Sequence, residues 1–223
     1  MRVEPKVGSR GVTGKSAKAR EKEPSSPYFG IPVDKHFEKT LELIDSHPLD
    51  LDDLVKVVIG SWNSIFESTL GSDFRIGTHI FPSPQVLGFL IHELVPLEFE
   101  KLHPGQWRRD TVVSDKDLVN IENPAMSVEI KTSSSKKQIF GNRSSAQQNA
   151  SADKKAKSGF YLAVNFERWK DVEGLPSVRL IRFGWLDHSD WYSQKKATGQ
   201  QGNLPPAVEN VQLLTIYEKG ATP

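Results

Sequence analysis

The stretch DKDLVNIENPAMSVEIKTSSSKKQIFGNR, Asp115 to Arg143, decides how this chain is read. Two short apolar runs, Leu118–Ile121 and Val128–Lys131, flank the loop Glu122–Met126, which holds an Asn and a Pro. Short strand-like runs around such a loop predict a β-hairpin. Alternate side chains of a strand share a face, so Val128 and Ile130 point one way and Glu129 and Lys131 the other. A hairpin centred near Pro124 sets Asp117 opposite Lys131 and diagonal to Glu129, roughly 7–8 Å away at the Cα atoms. Two carboxylates so placed can share one hard cation with an ammonium beside it, and a cation that keeps several waters suits Mg²⁺. The charged outer face of an ordinary hairpin would carry the same residues, and the D-x(11)-E-x-K spacing alone is a weak motif. The residues after the second run strengthen it. Ser133, Ser134, Lys136 and Lys137 come directly after the strand and Arg143 closes the stretch. Hydroxyls and bases behind a carboxylate–lysine face suit a phosphate backbone.

Upstream, residues 34–70 read as two helices, the second capped by Asp50 and carrying Leu54, Val57, Val58, Trp62, Ile65 and Phe66 at helical spacing. Trp62 reads as packing rather than base stacking, and Gly71 as a C-terminal cap. Pro82 to Leu94 predicts a third helix with Val86, Phe89, Leu90 and Glu93 on one stripe. A carboxylate on an apolar stripe is costly unless it meets a cation or reaches water at the stripe's edge. His92 falls off the stripe and reads as a surface or capping residue. Trp107-Arg108-Arg109 either grips phosphate or stacks Arg108 on Trp107.

The order Asp117, then Glu129-Ile130-Lys131, resembles the active-site motif of the PD-(D/E)XK nuclease superfamily. Lys116 stands where the motif's proline would be, and Asp115, of the same strand parity, is a second candidate for the aspartate. The resemblance implies Mg²⁺-dependent hydrolysis of DNA phosphodiesters. It assigns Asp117, Glu129 and the Ile130 carbonyl to the metal, and Lys131 to orienting or deprotonating the attacking water. It also implies an extra acidic ligand from the helix before the hairpin, Glu93, with Glu98 as substitute.

Length and composition set the frame. At 223 residues with 37% hydrophobic content the chain can bury a core of one domain. Residues 1–27 read as a flexible basic tail, with seven Lys or Arg and three Glu in the first 23. Residues 28–223 read as a single nuclease domain, with a helical part over 34–94 and a catalytic core over 82–223. The absence of cysteine excludes a disulfide framework and a thiolate metal site. No apolar run approaches the roughly 20 residues of a membrane span, and the basic N-terminus lacks the apolar core of a secretory signal. A cytoplasmic protein is expected. Net charge is only +1, but residues 131–157 hold seven Lys or Arg against Asp153 alone, which marks a DNA-facing surface.

Residues 144–156 are good helix material and Gly159–Asn165 a strand, which predicts a crossover and a parallel strand pair. Val178–Leu186 is another strand, with Arg179 outward. Asp187-His188-Ser189 cannot relay a proton as three adjacent residues, so it is no hydrolase triad. It reads as a turn in which Ser189 or Asp190 caps a short helix. Gln194, Lys195, Lys196, Gln200, Gln201 and Asn203, beside Trp191 and Tyr192, concentrate donors and acceptors of the kind that read base edges, and Gln147 joins this DNA-binding set. Gly199 and Gly202 would let the backbone approach DNA, and Val211–Tyr217 ends the chain as a strand.

The runs EIKTSSSKKQIFGNRSSAQ and RFGWLDHSDWYSQKKATGQQGNL are similar to the ScaI group of type II restriction endonucleases, over roughly the C-terminal half. That resemblance implies double-strand cleavage at AGTACT with blunt ends, a homodimer on a palindromic site, and a cognate DNA methyltransferase in the same system. The expected fold is α/β, a mixed, mainly antiparallel sheet of about five strands flanked by helices. A repair nickase or junction resolvase of the same superfamily, or a non-catalytic DNA-binding protein of the same fold, are the rival readings.

Overall fold

The structure, a computed structural model, describes residues 22–142, 155–193 and 201–221. Arg143, Gln147, Gln194, Lys195, Lys196, Gly199 and Gln200 lie outside those residues, as does all but the end of the expected 144–156 helix and tail residues 1–21.

Two helices come first, α1 (His36–Asp45) and α2 (Leu51–Glu67). Asp50 caps α2 as its sequence position suggests, its side chain accepting from the Asp53 N–H at 2.9 Å. Trp62 is buried and donates its indole N–H to the Pro176 carbonyl, so it packs. Gly71 does not cap α2. The helix ends at Ser68, and Gly71 takes a φ of 68° in the turn between two short strands, β1 (Thr69–Leu70) and β2 (Phe74–Arg75).

The third helix, α3 (Pro84–Leu102), runs eight residues past its expected end. Pro96 removes one backbone bond, yet Val95, Pro96 and Phe99 are buried and hold the second half in place. Its buried face is Leu87, Gly88, Ile91, Val95 and Phe99, not the Val86–Phe89–Glu93 stripe, and Phe89 is 61% exposed. After a short turn, β3 (Trp107–Arg109) begins the sheet; Trp107 is core and Arg108 pairs with Asp115 at 2.8 Å.

The hairpin comes next as β4 (Leu118–Asn120) and β5 (Val128–Ser133). Leu118 pairs with Val128, so Asp117 falls opposite Glu129 rather than opposite Lys131. The loop is asymmetric: a short 3-10 helix takes Pro124–Met126, and Asn120 Oδ1, Asn123 Oδ1 and Ser127 Oγ each accept a loop or strand N–H. A shift of two residues keeps every side chain on its expected face.

The remaining elements are β6 (Phe140–Asn142), β7 (Gly159–Phe166), β8 (Val178–Leu186), β9 (Tyr192–Ser193), β10 (Gln201–Asn203), α4 (Pro206–Gln212) and β11 (Leu213–Glu218). The central sheet has the order β11-β8-β7-β5-β4-β3. β5 and β7 run parallel and the other neighbours antiparallel. This is the expected mixed, mainly antiparallel sheet, one strand larger than expected. The final strand starts at Leu213 because Val211 and Gln212 belong to α4, whose Pro206 pre-sets the first helical φ.

A second sheet, β6-β10-β9, forms from segments in which the sequence shows no strand pattern. Gly202 is needed there for packing: a Cβ would stand 2.9 Å from the Asn142 carbonyl. Trp191 is a correction too. It is fully buried against Tyr161 and cannot reach a base. The turn before it is a 3-10 helix over His188–Asp190 with Asp187, not Ser189 or Asp190, in the cap position; Asp190 Oδ2 accepts the Asp187 N–H at 2.8 Å. The last residues of the expected tail are anchored to this turn. Lys22 Nζ lies 2.7 Å from Asp187 Oδ2 and 2.6 Å from Asp190 Oδ1, and Ser26 Oγ donates to Asp187.

Candidate active site

The hairpin and the segment before β7 bring the chemistry together. Glu129 and Lys131 share one face of β5, with Lys131 Nζ 2.5 Å from Glu129 Oε1. Asp117 sits one residue before β4 and is fixed from beneath: its Oδ2 accepts the Ile130 N–H at 2.6 Å. The backbone of the strand that carries Glu129 and Lys131 thus holds the other carboxylate. Lys155, four residues before β7, closes the group. Its Nζ is 2.8 Å from Asp117 Oδ1 and 3.1 Å from Glu129 Oε2. The second of these is a charge contact without hydrogen-bond alignment, so the buried Glu129 Oε2 accepts no hydrogen bond.

α3 supplies the facing wall. Gly88 lets it approach β5 closely, since a Cβ there would stand 2.6 Å from Thr132 Oγ1. One turn on, His92 Nδ1 comes to 3.5 Å from Asp117 Oδ2. The reading of His92 as a surface or capping residue is therefore corrected. The helix is rotated by about one position from the expected stripe, which turns His92 toward the hairpin. Glu93 is exposed and lines the same cleft, about 980 Å³, with Asp117, His92, Ser134 and Lys136. Glu129 and Lys131 do not line it and join it through Lys155 and Asp117. Glu98 pairs instead with Lys101 at 3.5 Å. Asp115 is held by Arg108 and by the Thr111 and Val112 N–H groups, away from Glu129.

The electrostatics are set by this crowding. Burial alone would raise the Asp117 carboxyl, but His92 and the ammoniums of Lys155 and Lys131 hold it well below the carboxylate range. Burial and Asp117 push Glu129 up, and Lys131 and Lys155 outweigh them, leaving it lowered. Asp115 is lowered to about 2 by its Arg108 bond. Lys116 lies behind the site, over the Tyr161 ring at 5.1 Å and 3.3 Å from the Ser158 carbonyl, and burial lowers it to about 8.

Among the other expected site residues, Ser133 is buried with its Oγ accepting the Ser135 N–H, and Lys136 and Lys137 are exposed. The Lys137 carbonyl takes a bond from the buried Arg182, which also reaches Asn165 and Glu209. Gln201 and Asn203 share a face of β10, partly exposed. Sequence reasoning missed Lys155, which it counted only as one base in a basic run. The parallel β5/β7 pairing, which it did expect, is the feature that carries the segment before β7 to the carboxylates.

A hard cation would find oxygen donors here: two converging carboxylates, one with a buried oxygen that accepts no hydrogen bond. Among the described residues no larger group of carboxylate, histidine or cysteine ligands converges. Among those residues, too, no helix is long and apolar enough to cross a membrane.

The family model described as ScaI restriction endonuclease matches residues 26–217. Type II restriction enzyme ScaI of Streptomyces caespitosus is 53% identical to this chain over 218 residues, covering 97% of this chain and 94% of that protein. A nuclease motif, a sheet that presents it beside a helix-walled cleft, and a likeness along nearly the whole sequence agree: the chain belongs to the ScaI restriction endonuclease family.

Proposed function

We propose that this restriction endonuclease is a Mg²⁺-dependent homodimer that cuts both strands of duplex DNA at AGTACT and leaves blunt ends. The observation that carries the reading is the meeting of Asp117, Glu129 and Lys131, bridged by Lys155, beside one cleft that Asp117 lines. Asp117 and Glu129 would hold the cation, joined by the Ile130 carbonyl and by Glu93 from across the cleft. Mg²⁺ bound there would supply Lewis-acid stabilisation of the phosphate and a more acidic water. Lys131 brings N–H donors and positive charge beside Glu129, where they can orient the attacking water and offset phosphate charge. The Ile130 N–H keeps Asp117 from rotating away.

Ser133, Ser134, Lys136, Lys137 and Arg143 would track the phosphates. Gln201 and Asn203, with Gln147, Gln194, Lys195, Lys196 and Gln200 beyond the described residues, would read base edges. Residues 28–223 would act as one nuclease unit with a basic tail before it. The setting would be the cytoplasm, with a methyltransferase protecting the host's own sites. The test is digestion of a plasmid of known sequence with Mg²⁺ and then sequencing of the ends. Discrete blunt fragments ending between the two halves of AGTACT are expected. Nicked circles or random ends would overturn the reading.

A further inference from the structure

The carboxylate pair is already neutralised before any metal ion arrives. Asp117 and Glu129 bring two negative charges, and Lys131 and Lys155 bring two positive ones within 3.1 Å of them. Adding a divalent cation to that group leaves a part-buried excess of positive charge, which the low local dielectric makes costly. One ammonium has to give way. Lys131 is held: it lies within β5, its backbone in register with Ala163 of β7, two residues from the Glu129 it contacts. Lys155 is placed to leave. It stands outside helix and strand, four residues before β7, and its side chain is 21% exposed. A lysine ammonium is a compact point charge on a flexible stem, suited to exchange with an ion. It also touches both carboxylates, which is what a shared cation would do.

We infer that Lys155 is a resident counterion: its ammonium holds Asp117 and Glu129 together in the metal-free enzyme and must be displaced for a divalent cation to bind. This rests on the reading of that pair as the metal ligands. Lys155 is then a positioning residue that keeps the site assembled while empty and sets the metal concentration at which it loads.

The experiment is Mn²⁺ binding without DNA, monitored by electron paramagnetic resonance, with melting temperatures read in metal-free buffer and in Mn²⁺. Lys155→Met removes the competing charge at similar length. It is expected to bind Mn²⁺ at least tenfold more tightly than the natural chain and to melt lower without metal, with Mn²⁺ closing the gap. Lys155→Arg keeps the charge and adds a forked grip on both carboxylates, so it is expected to bind Mn²⁺ no more tightly than the natural chain. Should Lys155→Met not fold, the arginine variant decides alone. Unchanged or weaker Mn²⁺ binding in Lys155→Met, or tighter binding in Lys155→Arg, would overturn the inference. Glu129→Gln separates it from its premise: Mn²⁺ affinity surviving that change would overturn the metal site itself.

Discussion

At the scale of single residues, the site works by mutual fixation. Asp117 is legible as a candidate from spacing alone, but what separates it from Asp115 is the partner each finds. Asp115 accepts from the Arg108 guanidinium of β3, and Asp117 takes the Ile130 N–H. Neither bond can be read from spacing, because each depends on a register the sequence leaves two residues uncertain. His47 gives a residue-scale test of the core behind the site. It is buried among Trp107, Phe160 and Phe183, its Nδ1 accepts the Leu49 N–H, and its Nε2 therefore donates to the Met126 carbonyl. Burial lowers its pKa from 6.5 to about 4. The unfolded chain thus takes up this proton first. The contribution is whole above pH about 6.5 and is lost as pH falls toward 4, roughly 3 kcal/mol over the full window. Urea unfolding from pH 7 to 4 should show His47→Gln with a flatter loss of stability than the natural chain. Asp190 and Glu209, whose carboxyls burial raises, act in the opposite sense in both proteins, so the difference between the two curves is the readout. Parallel curves would contradict the assignment.

At the scale of elements, the close approach of α3 to β5 positions His92 over Asp117. Gly88 makes that approach possible. Gly88→Ala would gain about 1 kcal/mol in helix propensity but lose about 1–3 kcal/mol to the clash with Thr132. A small net loss of stability is expected, with a fall in cleavage of about tenfold or more as the wall is pushed back. Thr132→Ala removes the clashing Oγ1, so the double variant should recover most of the cleavage. Additive losses on a DNA-cleavage assay would show that the two do not meet. The elements that the sequence made legible are those with strong local signals: Asp50 as a cap, Val178–Leu186 as an apolar run, the hairpin around Pro124. The illegible ones are ordered by distant partners. Gln201–Asn203 carries no strand signal until β6 pairs with it, and Trp191 reads as part of a DNA-reading segment until Tyr161 buries it. Pro96 argues for an earlier end to α3 than core contacts allow. The six-stranded sheet was legible in kind because its longest strands, β7 and β8, are buried along nearly their whole length.

At the scale of the whole molecule, cutting both strands of a palindrome calls for two active sites related by the symmetry of the DNA. Sedimentation should therefore give about twice the 25.0 kDa chain mass. A monomer, alone and on DNA, that still cuts both strands in one encounter would contradict the dimer. We place phosphodiester cleavage at the Asp117–Glu129–Lys131 group. Its most direct test is cleavage of a linear duplex bearing one cognate site, with Mg²⁺, by the natural chain and by Glu129→Gln, each first shown to bind the duplex. The expected result is bound DNA left uncut by Glu129→Gln, with the rate down by about a thousandfold. Cleavage by Glu129→Gln at the natural rate would contradict it.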